Sequence, residues 1–366
     1  MYEMIKPLTS LRMFFALFVF LSHLAFLKND TNYENIFNSI FNEGFLGVSF
    51  FFILSGFILS YNYKEKFIIG NISKKEFYIS RLARVYPVHI ATTALVLLLT
   101  FIQSGKWWEY LIQHIFLIQS FFLEENIHFS LNSPSWSISD ELFFYLLFPF
   151  AFLISEKIRT YIFILYLVGI LILNMQLNKN QDHYWLYISP FVRFSDFLLG
   201  IILFDLYEKI KVTYSKINIP TFIFELGAIL LFILFFVFHN KIDISYRYSI
   251  YYWLPMAAII LIFALSHVAQ KKSIITNFLS NKYMVLAGEI SFSFYLLHVL
   301  EIQILNYIKK ILSFNIDLML FSFIIFIVTL IASFIMYKYI EKPLNRKMKK
   351  FLLEPGFKTK SYELNK

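Results

Sequence analysis

The sequence predicts an all-α fold, a polytopic bundle of about ten transmembrane helices with both termini in the cytoplasm. Three observations carry this: repeated apolar runs of membrane-spanning length, a charged fraction of only 16% over 366 residues, and an uneven share of Lys and Arg between alternate loops. Soluble domains carry about a quarter charged residues. Here 58% of residues are hydrophobic, 20% are aromatic and the mean hydropathy is +0.63. Length alone suggests two soluble domains, but the apolar runs favour one bundle over residues 1–343, followed by a basic cytoplasmic tail at 344–366.

A helix crosses a hydrocarbon core of about 30 Å with roughly 20 residues. Ten stretches qualify, at 9–28, 45–62, 86–104, 137–155, 160–176, 186–205, 219–239, 249–268, 284–305 and 317–340. The run Leu111 to Leu123 is too short to cross and reads as a re-entrant or interfacial segment. The first run carries Arg12 and His23 and has no small-residue cleavage site, so it is a retained span rather than a signal peptide.

With the N-terminus inside, the inner loops collect fifteen Lys and Arg before the basic stretch beginning at Lys338 adds nine, and the outer loops hold seven. That bias sets the orientation. The tail, from about Asn345 to Lys366, is expected to touch anionic lipid. The net charge of +9 is therefore distributed as in a membrane protein, and nucleic acid is not an expected partner. With no cysteine, disulfides, thiolate metal ligands and an acyl-cysteine intermediate are excluded. No Walker loop, HExxH or paired Cys/His spacing is present, so no metal site is expected.

Ionisable groups inside spans need a partner, a wet cavity or a function. Arg12 and His23 are eleven residues apart, three helical turns, so they share a face about 16 Å apart along the axis. Arg12 falls near the inner surface and His23 towards the outer leaflet. The bland alternatives are that Arg12 snorkels to headgroups and that His23 only bonds a neighbouring helix. The fourth span opens Trp136-Ser137-Ile-Ser-Asp140-Glu141 and continues to Tyr145. Glu141 falls at a depth similar to His23, where a carboxylate can orient an imidazole base. Asp140 is read as a helix cap.

In the sixth span Arg193 and Asp196 read chiefly as a self-neutralising i, i+3 ion pair. The ninth span carries Gly288, Ser291, Tyr295 and His298 at helical period, a polar stripe for interhelical bonding or a site. Arg81 and Arg84, in the loop before the third span, share a face and can grip phosphate, although a positive-inside cluster looks similar. Pro87 sets the entry of that span. Gly44, Gly47, Ser55 and Gly56 read as small residues for close helix approach, with Ser55 an improbable nucleophile.

Taken in order, these segments resemble the membrane-bound acyltransferase 3 family, which includes bacterial O-antigen and capsule O-acetyltransferases. The resemblance rests on Arg12 to His23, Gly47-Val-Ser-Phe-Phe-Phe-Ile-Leu-Ser-Gly56, Arg81-Leu-Ala-Arg84-Val-Tyr-Pro87, Ser135-Trp136-Ser137 through Glu141 and Tyr145, Arg193 to Gly200, Gly288 through Tyr295 to His298, and Ile340-Glu341-Lys-Pro343. It departs at Thr9-Ser10, where relatives often have Asp-Gly, and at Leu142, where a second carboxylate is frequent.

The resemblance implies a membrane acyltransferase domain over 1–343, in the stand-alone form without an esterase-like domain, in the bacterial cytoplasmic membrane. It implies no permanently bound cofactor, acyl-CoA (acetyl-CoA) as co-substrate, and a glycan or lipid-linked saccharide as acceptor. His23 with Glu141 would be catalytic, and Arg12, Arg81 and Arg84 would hold the donor. Arg193, Ser137, Tyr145, Tyr295 and His298 would form the substrate or structural polar site. The competing expectations are a transporter or glycan translocase without acyl chemistry, and an acyltransferase acting on a small molecule.

Overall fold

The computed structural model describes residues 3–104, 109–216, 220–269, 271–313 and 315–353. Among them every regular element is helical. Ten long helices correspond one to one with the expected spans: α1 Lys6–Ser22, α2 Leu46–Ile68, α3 Lys74–Ser104, α4 Trp136–Ala151, α5 Glu156–Gln176, α6 Pro190–Lys216, α7 Thr221–Phe238, α8 Trp253–Val268, α9 Lys282–Leu312 and α10 Leu318–Met336. An eleventh, α11, runs Lys342–Leu353. Eight helical stretches among the described residues are long and apolar enough to cross a membrane. The remaining two, α1 with 17 residues and α4 with 16, fall just short of that length. The chain is a multi-pass membrane protein.

The centre of the bundle is α1, α2, α6 and α9, and the periphery is α5, α7 and α10. The peripheral helices turn Leu165, Met175, Leu230, Val237, Phe323 and Ile331 outwards. Lipid solvates such surfaces without cost, which is why these helices are apolar all round. Close approach in the centre depends on missing side chains. A Cβ on Gly288 of α9 would strike the Thr9 backbone of α1, and one on Gly56 of α2 would strike the Phe197 backbone of α6.

Contacts along these seams give the helix directions. Thr9 meets Gly288 and His23 meets His298, so α1 and α9 run parallel. Ser49 meets Arg193 and Lys64 meets Asp205, so α2 and α6 are parallel too. The α1–α2 pair is antiparallel, with Gly44 at Phe18 and Gly47 at Phe15. This is the parity that ten alternating spans require.

Three boundaries differ from expectation. The first span was expected to reach residue 28, yet α1 ends at Ser22. The Val19 carbonyl, which a continuing helix would give to the His23 amide, is taken by the Ser22 hydroxyl at 2.8 Å and the His23 ring at 2.8 Å. The His23 amide donates to Phe20 instead, at 3.1 Å. The segment 81–87 is not a loop: Arg81, Arg84 and Pro87 all lie inside the 31-residue α3. Its missing amide is tolerated, as in other membrane helices, because neighbouring groups re-satisfy the backbone. The beginning of the expected tail is ordered, because α11 packs along α3; residues 354–366 lie outside the described residues. The short run at 111–123 breaks rather than crosses, into helix Leu111–Phe116, a left-handed Leu117 (φ 53°) and a tight turn Gln119–Phe121.

Candidate active site

Side chains from α1, α2, α3, α4 and α9 enclose a cavity with about 930 Å³ of empty space, part of it open to solvent. Its polar wall is Arg12, Ser55, Arg81, Arg84, Glu141, Tyr145 and Ser291, with Ser137 and Tyr295 at the other end, where the two are hydrogen-bonded. Seven of the ten residues expected at the site, Arg12, Arg81, Arg84, Ser137, Glu141, Tyr145 and Tyr295, therefore meet in one space.

Arg12 stands in the field of Glu141, Tyr145 and Glu289, but among the described residues it forms no ion pair within 4.0 Å. Arg12 lines the cavity wall. Arg81 is held by neutral oxygens, the Tyr63 hydroxyl at 2.8 Å and Ser80 Oγ at 3.4 Å, and lies over the Tyr63 ring at 5.1 Å. Arg84 pairs with Glu341, whose second oxygen accepts the Ser293 hydroxyl at 2.6 Å. Glu341 closes the π-turn Tyr337–Glu341, which joins α10 to α11. Wide turns of this kind re-aim a side chain and are frequent at functional sites.

Glu141 does not meet His23. Its hydrogen bond comes from Ser55 Oγ at 2.9 Å, and it faces the arginines. Helix packing decides this, because Glu141 lines the same cavity as Arg12, whereas His23 is carried against α9. His23 sits instead beside His298, with Nδ1 at 3.3 Å from His298 Nε2 and ring centroids 4.8 Å apart. His298 is fully buried, whereas His23 is exposed.

The hydrogen bonds assign the tautomers. His298 Nδ1 donates to the Tyr295 carbonyl at 2.6 Å, leaving Nε2 as an acceptor. His23 Nδ1 donates to Val19 and toward His298, so its Nε2 carries the unengaged lone pair. A ring fixed from behind with one free nitrogen is what a general base requires. The tie to the cavity is short: Tyr295, one turn from His298, shares a 2.8 Å hydrogen bond with Ser137 on the cavity wall.

Several residues have plainer places. Arg193 is buried behind the cavity wall, 5.2 Å over the ring of Phe52. It pairs with Asp196 at 3.2 Å and donates to Ser49 Oγ at 2.8 Å and the Tyr248 carbonyl at 2.7 Å. Ser291 bonds its own helix, at the Gly288 carbonyl (2.8 Å), and not a neighbour. Asp140 does not cap α4: it is fully buried, and neither carboxylate oxygen has a hydrogen-bond partner among the described residues. Ser55, expected only to ease packing, holds Glu141. Glu341 was visible in the motif at 340–343 but had no role, because nothing local shows that a π-turn points it at Arg84. Among the described residues no cluster of His, Asp or Glu is placed to hold a metal ion.

A family model described as an acyltransferase domain, that of the acyltransferase 3 family, matches residues 6–338. The O-acetyltransferase OatA of Staphylococcus aureus (strain NCTC 8325) is 27% identical over 341 residues, covering 83% of this chain and 53% of that protein. The acyltransferase MdmB of Streptomyces mycarofaciens is 33% identical over 162 residues, covering 42% of this chain and 41% of its own. The chain thus spans about half the length of these relatives or less. No solved structure matches it.

Proposed function

The chain belongs to the acyltransferase 3 family, and from that membership we propose that it is a membrane O-acetyltransferase moving an acetyl group from acetyl-CoA to a hydroxyl of a cell-surface polysaccharide or its lipid-linked precursor, in the bacterial cytoplasmic membrane. The observation that carries the reading is the sequence of groups along one path. Arg12, which has no ion pair among the described residues, and the Arg81–Arg84 pair line one end of the cavity, Tyr295 and Ser137 the other, and the His298–His23 pair follows one helical turn beyond. Cations at one end suit the phosphates of a CoA thioester, and a fixed imidazole at the other suits activation of a hydroxyl.

In this mechanism His23 Nε2 takes the proton of the acceptor hydroxyl as its oxygen attacks the thioester carbonyl carbon. The carbon–sulfur bond breaks, and the departing thiolate recovers that proton from the imidazolium. Glu141, held by Ser55, sets its negative charge in the field of Arg12 and Arg84 rather than serving His23. General-base assistance supplies about 10²–10⁴-fold, and positioning supplies the remainder.

The test compares surface glycan from cells carrying wild-type protein and His23→Ala for alkali-labile esters, with membrane insertion checked by protease accessibility. Loss of ester from a correctly inserted variant is the expected result. Normal ester in that variant overturns the role of His23. Labelled acetyl-CoA given to inside-out vesicles separates the alternatives: a transporter leaves the label on CoA, and a small-molecule acceptor carries it into the soluble fraction.

A further inference from the structure

The helix α11 carries five cations, and one of them is placed unlike the rest. Lys342, Arg346, Lys347 and Lys350 are exposed, whereas Lys349 is half-buried. Because α11 packs along α3, Lys349 is brought into the field of Arg81, Arg84 and the Tyr63 phenol. Tyr63 is the centre of this group: Arg81 donates to its hydroxyl at 2.8 Å, and Lys66 lies 5.2 Å from its ring. Arg84 has Glu341, but among the described residues no carboxylate pairs with Arg81 or Lys349. Partly burying a Lys beside two arginines without a carboxylate is unfavourable in isolation, because desolvation and like-charge repulsion act in the same direction. An anion relieves both. Arg81 also lines the cavity, so the cluster adjoins its wall.

We propose that Lys349, with Arg81 and Lys66, forms a phosphate-binding site beside the cavity, with α11 as one of its walls. Phosphate fits better than carboxylate because three cations from three helices converge there, and phosphate offers several oxygens to share between them. Two sources supply this chemistry. One is the phosphate-bearing end of the thioester donor, an assignment that rests on the proposed acetyl-CoA reading; the other is the headgroup of an anionic lipid.

The experiment uses the full chain in nanodiscs of phosphatidylcholine, with and without phosphatidylglycerol, and compares wild type, Lys349→Gln and Lys349→Arg. If the donor fills the site, Lys349→Gln weakens acetyl-CoA binding about tenfold more than it weakens S-acetyl-pantetheine, which lacks the nucleotide phosphates. Lys349→Arg restores the difference. If a lipid fills it, that selectivity is absent, and Lys349→Gln instead removes the rise in Tm that phosphatidylglycerol gives the wild type. A variant that changes neither quantity overturns the site. Wild-type protein that fails to bind acetyl-CoA at all sinks the donor reading separately, while the lipid arm still reports on Lys349.

Discussion

His298 Nε2 lies 3.3 Å from His23 Nδ1, across the seam where α1 and α9 run parallel. The pair is anchored at both backs, His23 on the Val19 carbonyl and His298 on the Tyr295 carbonyl. His298 thus fixes the direction of the His23 ring without presenting a free nitrogen of its own.

This makes His298 a positioning residue. His298→Ala is expected to lower kcat by about 10–100-fold, the cost of a base displaced by about an ångström, with little change in KM for acetyl-CoA. Initial rates with labelled donor separate the two constants. A variant whose loss lies wholly in KM would place His298 in binding instead.

Glu341 holds Arg84 and Ser293 from the end of α10. Glu341→Ala leaves a partly buried guanidinium without its carboxylate and is expected to destabilise the protein by about 3 kcal/mol. Glu341→Gln keeps an acceptor for Ser293 and should cost less. Thermal unfolding of the two variants in detergent gives the order, and equal Tm values for both would contradict the role of the charge.

Gly288 and Gly227 are both helical glycines, but with opposite surroundings. A Cβ at Gly288 meets the Thr9 backbone, while nothing lies within 4 Å of one at Gly227. Gly288→Ala should therefore cost about 1–3 kcal/mol as the α1–α9 seam is forced apart, and it should lower activity by separating the histidines. Gly227→Ala should be neutral or slightly stabilising. Melting temperatures and acetyl transfer measured side by side check both.

Between the spans, the loop after His23 is pinned where the Tyr33 hydroxyl donates to Asp317. That bond, and the Leu320 and Met319 amides capped by Asp317, hold its carboxyl below the usual carboxylate range, while the Tyr33 hydroxyl is raised. A carboxyl depressed in the folded state adds stability that is present above its unfolded pKa and is lost as pH falls through the folded value. The loop should thus become more susceptible to proteolysis in acid. Asp317→Asn should show the susceptible pattern at neutral pH with no further change on acidification.

The ten spans were legible because each is written locally: an apolar run of sufficient length can only cross or be buried, whatever its neighbours do. Arg12 and His23 were legible for a related reason, since lipid penalises an ionisable group wherever the bundle places it. The end of α1 was not, because the Ser22 and His23 side chains take a carbonyl that hydropathy does not register. The same holds for α3, whose charged first turns and Pro87 look like a loop until the helices around them are in place.

From the sequence alone came the membrane class, the ten long helices, the absence of thiol chemistry and seven of the nine polar residues that line the cavity. Which of them face one another was decided by tertiary packing. Glu141 was expected beside His23 because both lie at similar depth, but depth fixes only one coordinate of three. The packing of the helices sets the other two, giving Glu141 to Ser55 and the cavity, and His23 to His298 across the close α1–α9 contact at Gly288.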